Sequence, residues 1–145
     1  MNQSADGVAT ERRREVSDSN APLGFLFPEP YQRLISVEQL PDISPMFWLL
    51  RLRDGVTNWT RILAEQFPDR ILVPFAKDRA SDDVFCFEGS DTTGNPAVLL
   101  IHSFTDPGWE YRGEWLDFES WLADVLDLHD AVEAGHDDQL EPPHP

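Results

Sequence analysis

Three short apolar runs, residues 70–76, 83–87 and 97–102, follow one another with only turn-forming residues between them. Residues 77–82 separate the first two, residues 89–96 with their Gly94-Asn95 separate the second and third, and residues 105–108 close the series. Short runs rich in Val, Phe, Leu and Ile and bounded by Gly, Pro, Asn and Asp read as β-strands. Parallel neighbours would need crossovers of about a dozen residues or more, usually helical, and the linkers offer none. The strands are therefore expected to pair as an antiparallel meander. Any helix must then lie outside the series and pack on the sheet.

The flanks supply those helices. Phe118, Trp121, Leu122, Val125 and Leu126 fall at i, i+3, i+4, i+7 and i+8, an amphipathic stripe with Asp117 placed to cap it and an expected end near Gly135. Before the strands, Pro30 stands as a first helical residue ahead of Tyr31, Leu34 and Ile35. Ser44-Pro45 reads as a helix start before Met46, Phe47, Trp48, Leu49, Leu50 and Leu52. Trp59, Ile62 and Leu63 recur at helical spacing up to Phe67, and Pro68 stops that helix. The expected class is α+β: one domain over residues 22–135, an antiparallel sheet flanked by helices, with a long C-terminal amphipathic helix. Residues 1–21, polar and without a sustained apolar period, read as a disordered leader, and residues 136–145 as a flexible acidic tail.

Charge narrows the partners. With 27 acidic against 11 basic residues the formal net charge is -16, a field that repels phosphate backbones and anionic lipid and favours a cationic protein. Acidity that serves only solubility is the alternative. Hydrophobic residues still make up 41% of the chain, with five Trp and nine Phe, enough apolar stock for a folded core. Cys86 is the one cysteine, so neither an intrachain disulfide nor a cysteine zinc cluster can form, and its apolar neighbours make it a buried, inert thiol. No apolar run approaches the roughly 18 residues of a membrane span, and Arg12-Arg13-Arg14 is not followed by the apolar region of a signal peptide. A cytoplasmic location is expected.

The order Leu72-Val73-Pro74-Phe75-Ala76-Lys77-Asp78, then Asp82-Asp83-Val84-Phe85-Cys86-Phe87, then Ala97-Val98-Leu99-Leu100-Ile101-His102, then Phe118-Glu119-Ser120-Trp121-Leu122 resembles the SUKH superfamily. The resemblance runs from Arg70 to about Leu128, and Tyr31 and Asp54-Gly55 echo it weakly in the first half. It implies an antiparallel sheet flanked by helices and a non-catalytic role. Bacterial members are commonly immunity proteins that neutralise toxins, often nucleases, and fungal members regulate cell-wall synthesis.

Two groups of residues are candidates for partner binding. The first is the acidic turn Asp78, Asp82 and Asp83 with Glu88 just beyond the next strand; a solvated turn that bonds its own backbone is the alternative. The second is Trp109 with Glu110 in Pro107-Gly108-Trp109-Glu110-Tyr111, where an aromatic loop suits an interface anchor or folds back to cap the core. Trp48, Trp59 and Trp121 lie on apolar stripes and read as core, and Trp115 fits either. The acids from Asp124 to Glu141 form a charge run, solvated or available to a basic partner.

Catalytic and metal-binding patterns are weak. His102 beside Ser103 and Asp106 could be imagined as a base, but adjacent strand residues point to opposite faces, which favours a hydrogen-bonded structural histidine. His129, His136 and His144 match no zinc spacing, and the acidic turn lacks the calcium-loop pattern. No cofactor or metal is expected. The leading expectation is a protein-binding immunity-type domain; a housekeeping regulatory adaptor and, behind it, a hydrolase using the acidic turn and His102 are the alternatives.

Overall fold

A computed structural model describes residues 12, 21–37 and 39–135. Apart from Arg12 and Ala21, the leader lies outside the described residues, as does the tail 136–145. Five strands, β1 (Met46–Trp48), β2 (Leu72–Asp78), β3 (Asp83–Glu88), β4 (Val98–His102) and β5 (Tyr111–Trp115), lie side by side in chain order. Every neighbouring pair is antiparallel. Helices α1 (Glu29–Ile35), α2 (Gly55–Gln66) and α3 (Phe118–Glu133) and a 3-10 turn (Leu49–Arg51) complete an α+β fold.

The three apolar runs are the middle of this sheet, and their lack of clean alternation has a simple cause: both faces are covered. On one face Val73, Phe75, Phe85, Phe87, Leu100 and Trp115 meet Tyr31 and Ile35 of α1 and Phe118, Trp121, Val125 and Leu128 of α3. On the other, Leu72, Val84, Cys86, Leu99 and Ile101 meet Leu63 of α2 and Phe67. Pro74 is tolerated in β2 because β1 pairs only with Ala76–Asp78, which leaves the flank of Pro74 on that side as an edge.

Two readings of the sequence give way here. Met46 to Leu52 is not a helix: Met46–Trp48 pairs with β2 and only Leu49–Arg51 turns, as a 3-10 helix. A consecutive apolar cluster satisfies either period, and the unpaired backbone at the end of β2 decides for the strand. Ser44 caps no helix; its N–H and hydroxyl both donate to Asp42 Oδ1, at 2.9 and 2.7 Å. The second correction is β5, whose Tyr111 was expected in a loop. Its Gly113 and charged residues hide the strand pattern, because only Gly113 and Trp115 turn inward.

At the entry to α2, a Cβ on Gly55 would sit 2.2 Å from the Leu49 carbonyl oxygen, so no larger residue fits the close approach to the 3-10 turn. At α3 the Asp117 carboxylate accepts the Ser120 N–H at 2.9 Å, as the sequence predicts. Asp117→Ala is expected to cost about 1 kcal/mol of stability, read by urea denaturation. A cost near zero would mean that the cap adds nothing beyond the apolar packing of Phe118 and Trp121.

Candidate functional site

The ends of the strands decide which candidate residues meet. The β2–β3 turn, the end of β4 and the start of β5 share one end of the sheet, because β3 pairs Asp83 with His102 and β4 pairs Ile101 with Tyr111. Asp78, Asp82, Asp83, Trp109 and Glu110 therefore belong to this end. Glu88 closes β3 at the other end, about 16 Å along the strand at roughly 3.3 Å per residue. There it holds Ser90.

Within the acidic turn most hydrogen bonding is internal. Asp78 Oδ1 accepts the Ala80 N–H at 3.0 Å and Oδ2 the Ser81 hydroxyl at 3.0 Å, while Ser81 Oγ accepts the Asp83 N–H at 3.2 Å. The Lys77 ammonium donates to the Ser81 and Asp78 carbonyls and lies 5.5 Å from the centre of the Trp59 ring. Asp83 Oδ1 lies 2.8 Å from His102 Nδ1, its partner across the strands. Asp82 is the exposed acid of the turn, and its carbonyl accepts both the N–H and the hydroxyl of buried Ser103, at 2.9 and 2.7 Å. The Ser103 hydroxyl is thus committed to the turn and does not meet His102.

The β4–β5 loop is braced from inside. Glu110, expected beside Trp109 as a binding residue, turns inward and is 6% exposed. Its carboxylate accepts from Arg70 Nε at 2.5 Å and from the Gly108 N–H at 2.6 Å. Burial raises its pKa, but the Arg70 hydrogen bond, the backbone donors and the Arg70 charge together hold the carboxyl below its ordinary value. The Arg70 guanidinium also lies 5.8 Å from the centre of the Tyr111 ring.

What this loop shows to solvent is aromatic. Trp109 is 70% exposed and does not fold back on the core; Phe104 is 65% exposed. Phe104 has φ +58°, in the left-handed region that bulky residues rarely adopt. Its N–H is held by Gln66 Oε1 at 2.6 Å, and its ring meets Trp59 edge-on at 6.2 Å. Backbone strain of this kind persists only where surrounding contacts over-determine it. Phe104 carried no sequence signal, since an exposed ring and a buried one look alike in a composition. Gln66 and Arg70, the residues that fix the loop, act across 38 and 40 positions in the chain.

The remaining candidates are structural. Trp48, Trp115 and Trp121 are buried and Trp59 is half-buried. Trp115 Nε1 donates to Asp124 Oδ2 at 2.7 Å, which ties β5 to α3 and takes Asp124 out of the acidic run. Asp127, Asp130 and Glu133 are exposed on α3; Asp137, Asp138, Glu141, His136 and His144 lie outside the described residues. Cys86 is fully buried, and burial first, then the Glu88 charge, pushes its thiol pKa well up. Among the described residues no group of three or more His, Cys, Asp or Glu is arranged to hold a metal, and no helix is long and apolar enough to cross a membrane. Compared with known proteins, the chain matches no family model, no curated protein and no solved structure.

Proposed function

We propose that this protein is a non-catalytic protein-binding domain of the immunity type, acting in the cytoplasm by covering a cationic region of a toxin. The observation that carries the reading is the braced β4–β5 loop, which holds Trp109 and Phe104 out to solvent beside the exposed Asp82. Large exposed aromatics on a fixed backbone lose little conformational freedom on binding and supply the apolar anchor of an interface. The net charge of -16 supplies long-range attraction to a basic partner and repels nucleic acid and anionic membranes. The resemblance of residues 70–128 to the SUKH superfamily points the same way.

The test begins with capture of partners on the intact protein and on its Trp109→Ala and Phe104→Ala variants, with mass spectrometry of what is lost. The expected partner is basic, arrests growth when expressed alone, and is relieved by co-expression of the intact protein. A partner without toxicity would favour the regulatory adaptor.

Kinetics with that partner separate steering from anchoring. Raising salt shortens the screening length to about 8 Å at physiological ionic strength, so association should slow sharply while dissociation changes little. Asp82→Asn should slow association, and Trp109→Ala should speed dissociation by about 30-fold, the equivalent of roughly 2 kcal/mol. If association ignores salt and both variants bind like the parent, the acidic turn and the aromatic loop are not the contact surface.

A further inference from the structure

On the β1 flank of the same sheet end, side chains from the segment before β1, from β1 itself, and Arg51 and Arg79 line an open cavity of about 330 Å³, within the size range of small-ligand sites. Buried Ile43, Met46 and Trp48 contribute its apolar lining, and Arg51 and Arg79, both exposed, its positive charge. Among the described residues Arg33, Arg61 and Arg70 each pair with a glutamate, whereas Arg51, Arg53, Arg79 and Arg112 do not, and of these four only Arg51 and Arg79 line the cavity. Arg51 and Arg79 form no ion pair, and neither guanidinium donates a hydrogen bond, among the described residues. Arg12 brings a further cation nearby. Its Nη1 donates to the Val37 carbonyl at 2.6 Å, and burial first, then the Arg51 charge, lowers its pKa.

One acid, Asp42, also lines the cavity. Hydrogen bonds from the Ser44 N–H and hydroxyl, and after them the His129 and Arg51 charges, lower its pKa, so it stays ionised, with Oδ1 already engaged by Ser44. Two arginines against one aspartate leave the lining at a net +1, inside a molecule whose overall field is strongly negative. The wall is anchored to α3, where His129 Nδ1 lies 2.9 Å from the Ser44 carbonyl oxygen.

We propose that this cavity is an oxyanion site that takes a small molecule bearing a phosphate or a carboxylate, held by Arg51 and Arg79. Guanidinium groups present planar pairs of donors that match both anions. Nothing in this site depends on the aromatic loop, so it stands apart from the partner-binding reading.

The test is NMR titration of the arginine Nε–Hε signals of the full chain with inorganic phosphate and, separately, with acetate, at constant ionic strength balanced with chloride. Saturable shifts at Arg51 and Arg79, with Arg33 and Arg61 unmoved, are expected for one or both anions, and the tighter one identifies the ligand class. The double variant Arg51→Gln with Arg79→Gln should weaken the response by about tenfold or more at an unchanged melting temperature. If that variant unfolds, the single Arg51→Lys and Arg79→Lys variants serve, each keeping the charge while losing the planar donor pair and weakening binding. Shifts that never saturate, that chloride reproduces, or that survive these substitutions would overturn the proposal, as would no shift at all.

Discussion

Trp121→Ala is expected to destabilise the protein by about 3–5 kcal/mol, the range for removing a large buried aromatic. Trp121 is fully buried at the centre of the α3 stripe. It meets Phe75 at 4.7 Å, Phe85 at 5.3 Å, Trp48 at 5.6 Å and Phe118 at 5.7 Å between ring centres. Neighbours drawn from β1, two central strands and α3 itself cannot all collapse into the space it leaves, so the cavity persists. Trp121→Phe should cost much less, under about 2 kcal/mol, for two reasons. It retains an aromatic ring, and it removes an indole N–H that has no hydrogen-bond partner. Urea unfolding of both variants checks this, and a loss below about 1 kcal/mol for alanine would contradict the central position of Trp121 in the core.

The second large effect concerns the brace of the aromatic loop. Removing one partner of a buried ion pair costs about 3–5 kcal/mol, because the other charge is stranded. Arg70 keeps 31% of its side chain exposed, and solvent screening brings the expected cost of Arg70→Ala down to about 2–3 kcal/mol. Combining it with Glu110→Gln should restore part of the loss, since the neutral amide fills the same space without a stranded charge. The Glu110 carboxyl titrates below its ordinary value in the folded state. Its contribution is therefore present above the unfolded pKa of about 4.3 and disappears as pH falls through the folded one. The gap between the parent and Arg70→Ala should be widest near neutral pH and shrink below about pH 4. An equal gap at pH 3 and pH 7 would mean that Arg70 acts through packing and not through its charge. Because Glu110 also holds the Gly108 N–H, Arg70→Ala should loosen the presentation of Trp109 without touching its side chain.

Much of the architecture was written locally. The 118–133 helix, its Asp117 cap and the three central strands each carry their own periodicity or turn chemistry, and short linkers leave an antiparallel meander as the way to join them. That Cys86 and Trp121 are buried follows from the same patterns. The character of β1 and β5 did not follow, because an edge strand is made by the partner it finds. Met46–Trp48 has an apolar run that fits either period, Tyr111–Trp115 has almost no pattern, and both became strands by pairing with β2 and β4. The candidate site divides in the same way. Its acids and Trp109 could be named from composition, but Phe104 became an exposed ring only because Gln66 holds its backbone from 38 residues away. Glu110 left the surface only because Arg70, 40 residues earlier, offered a half-buried partner for its charge. Local sequence sets the period of an element and the chemistry of its turns; which side chains face water, and which charges find partners, depends on contacts that exist only once the sheet has closed.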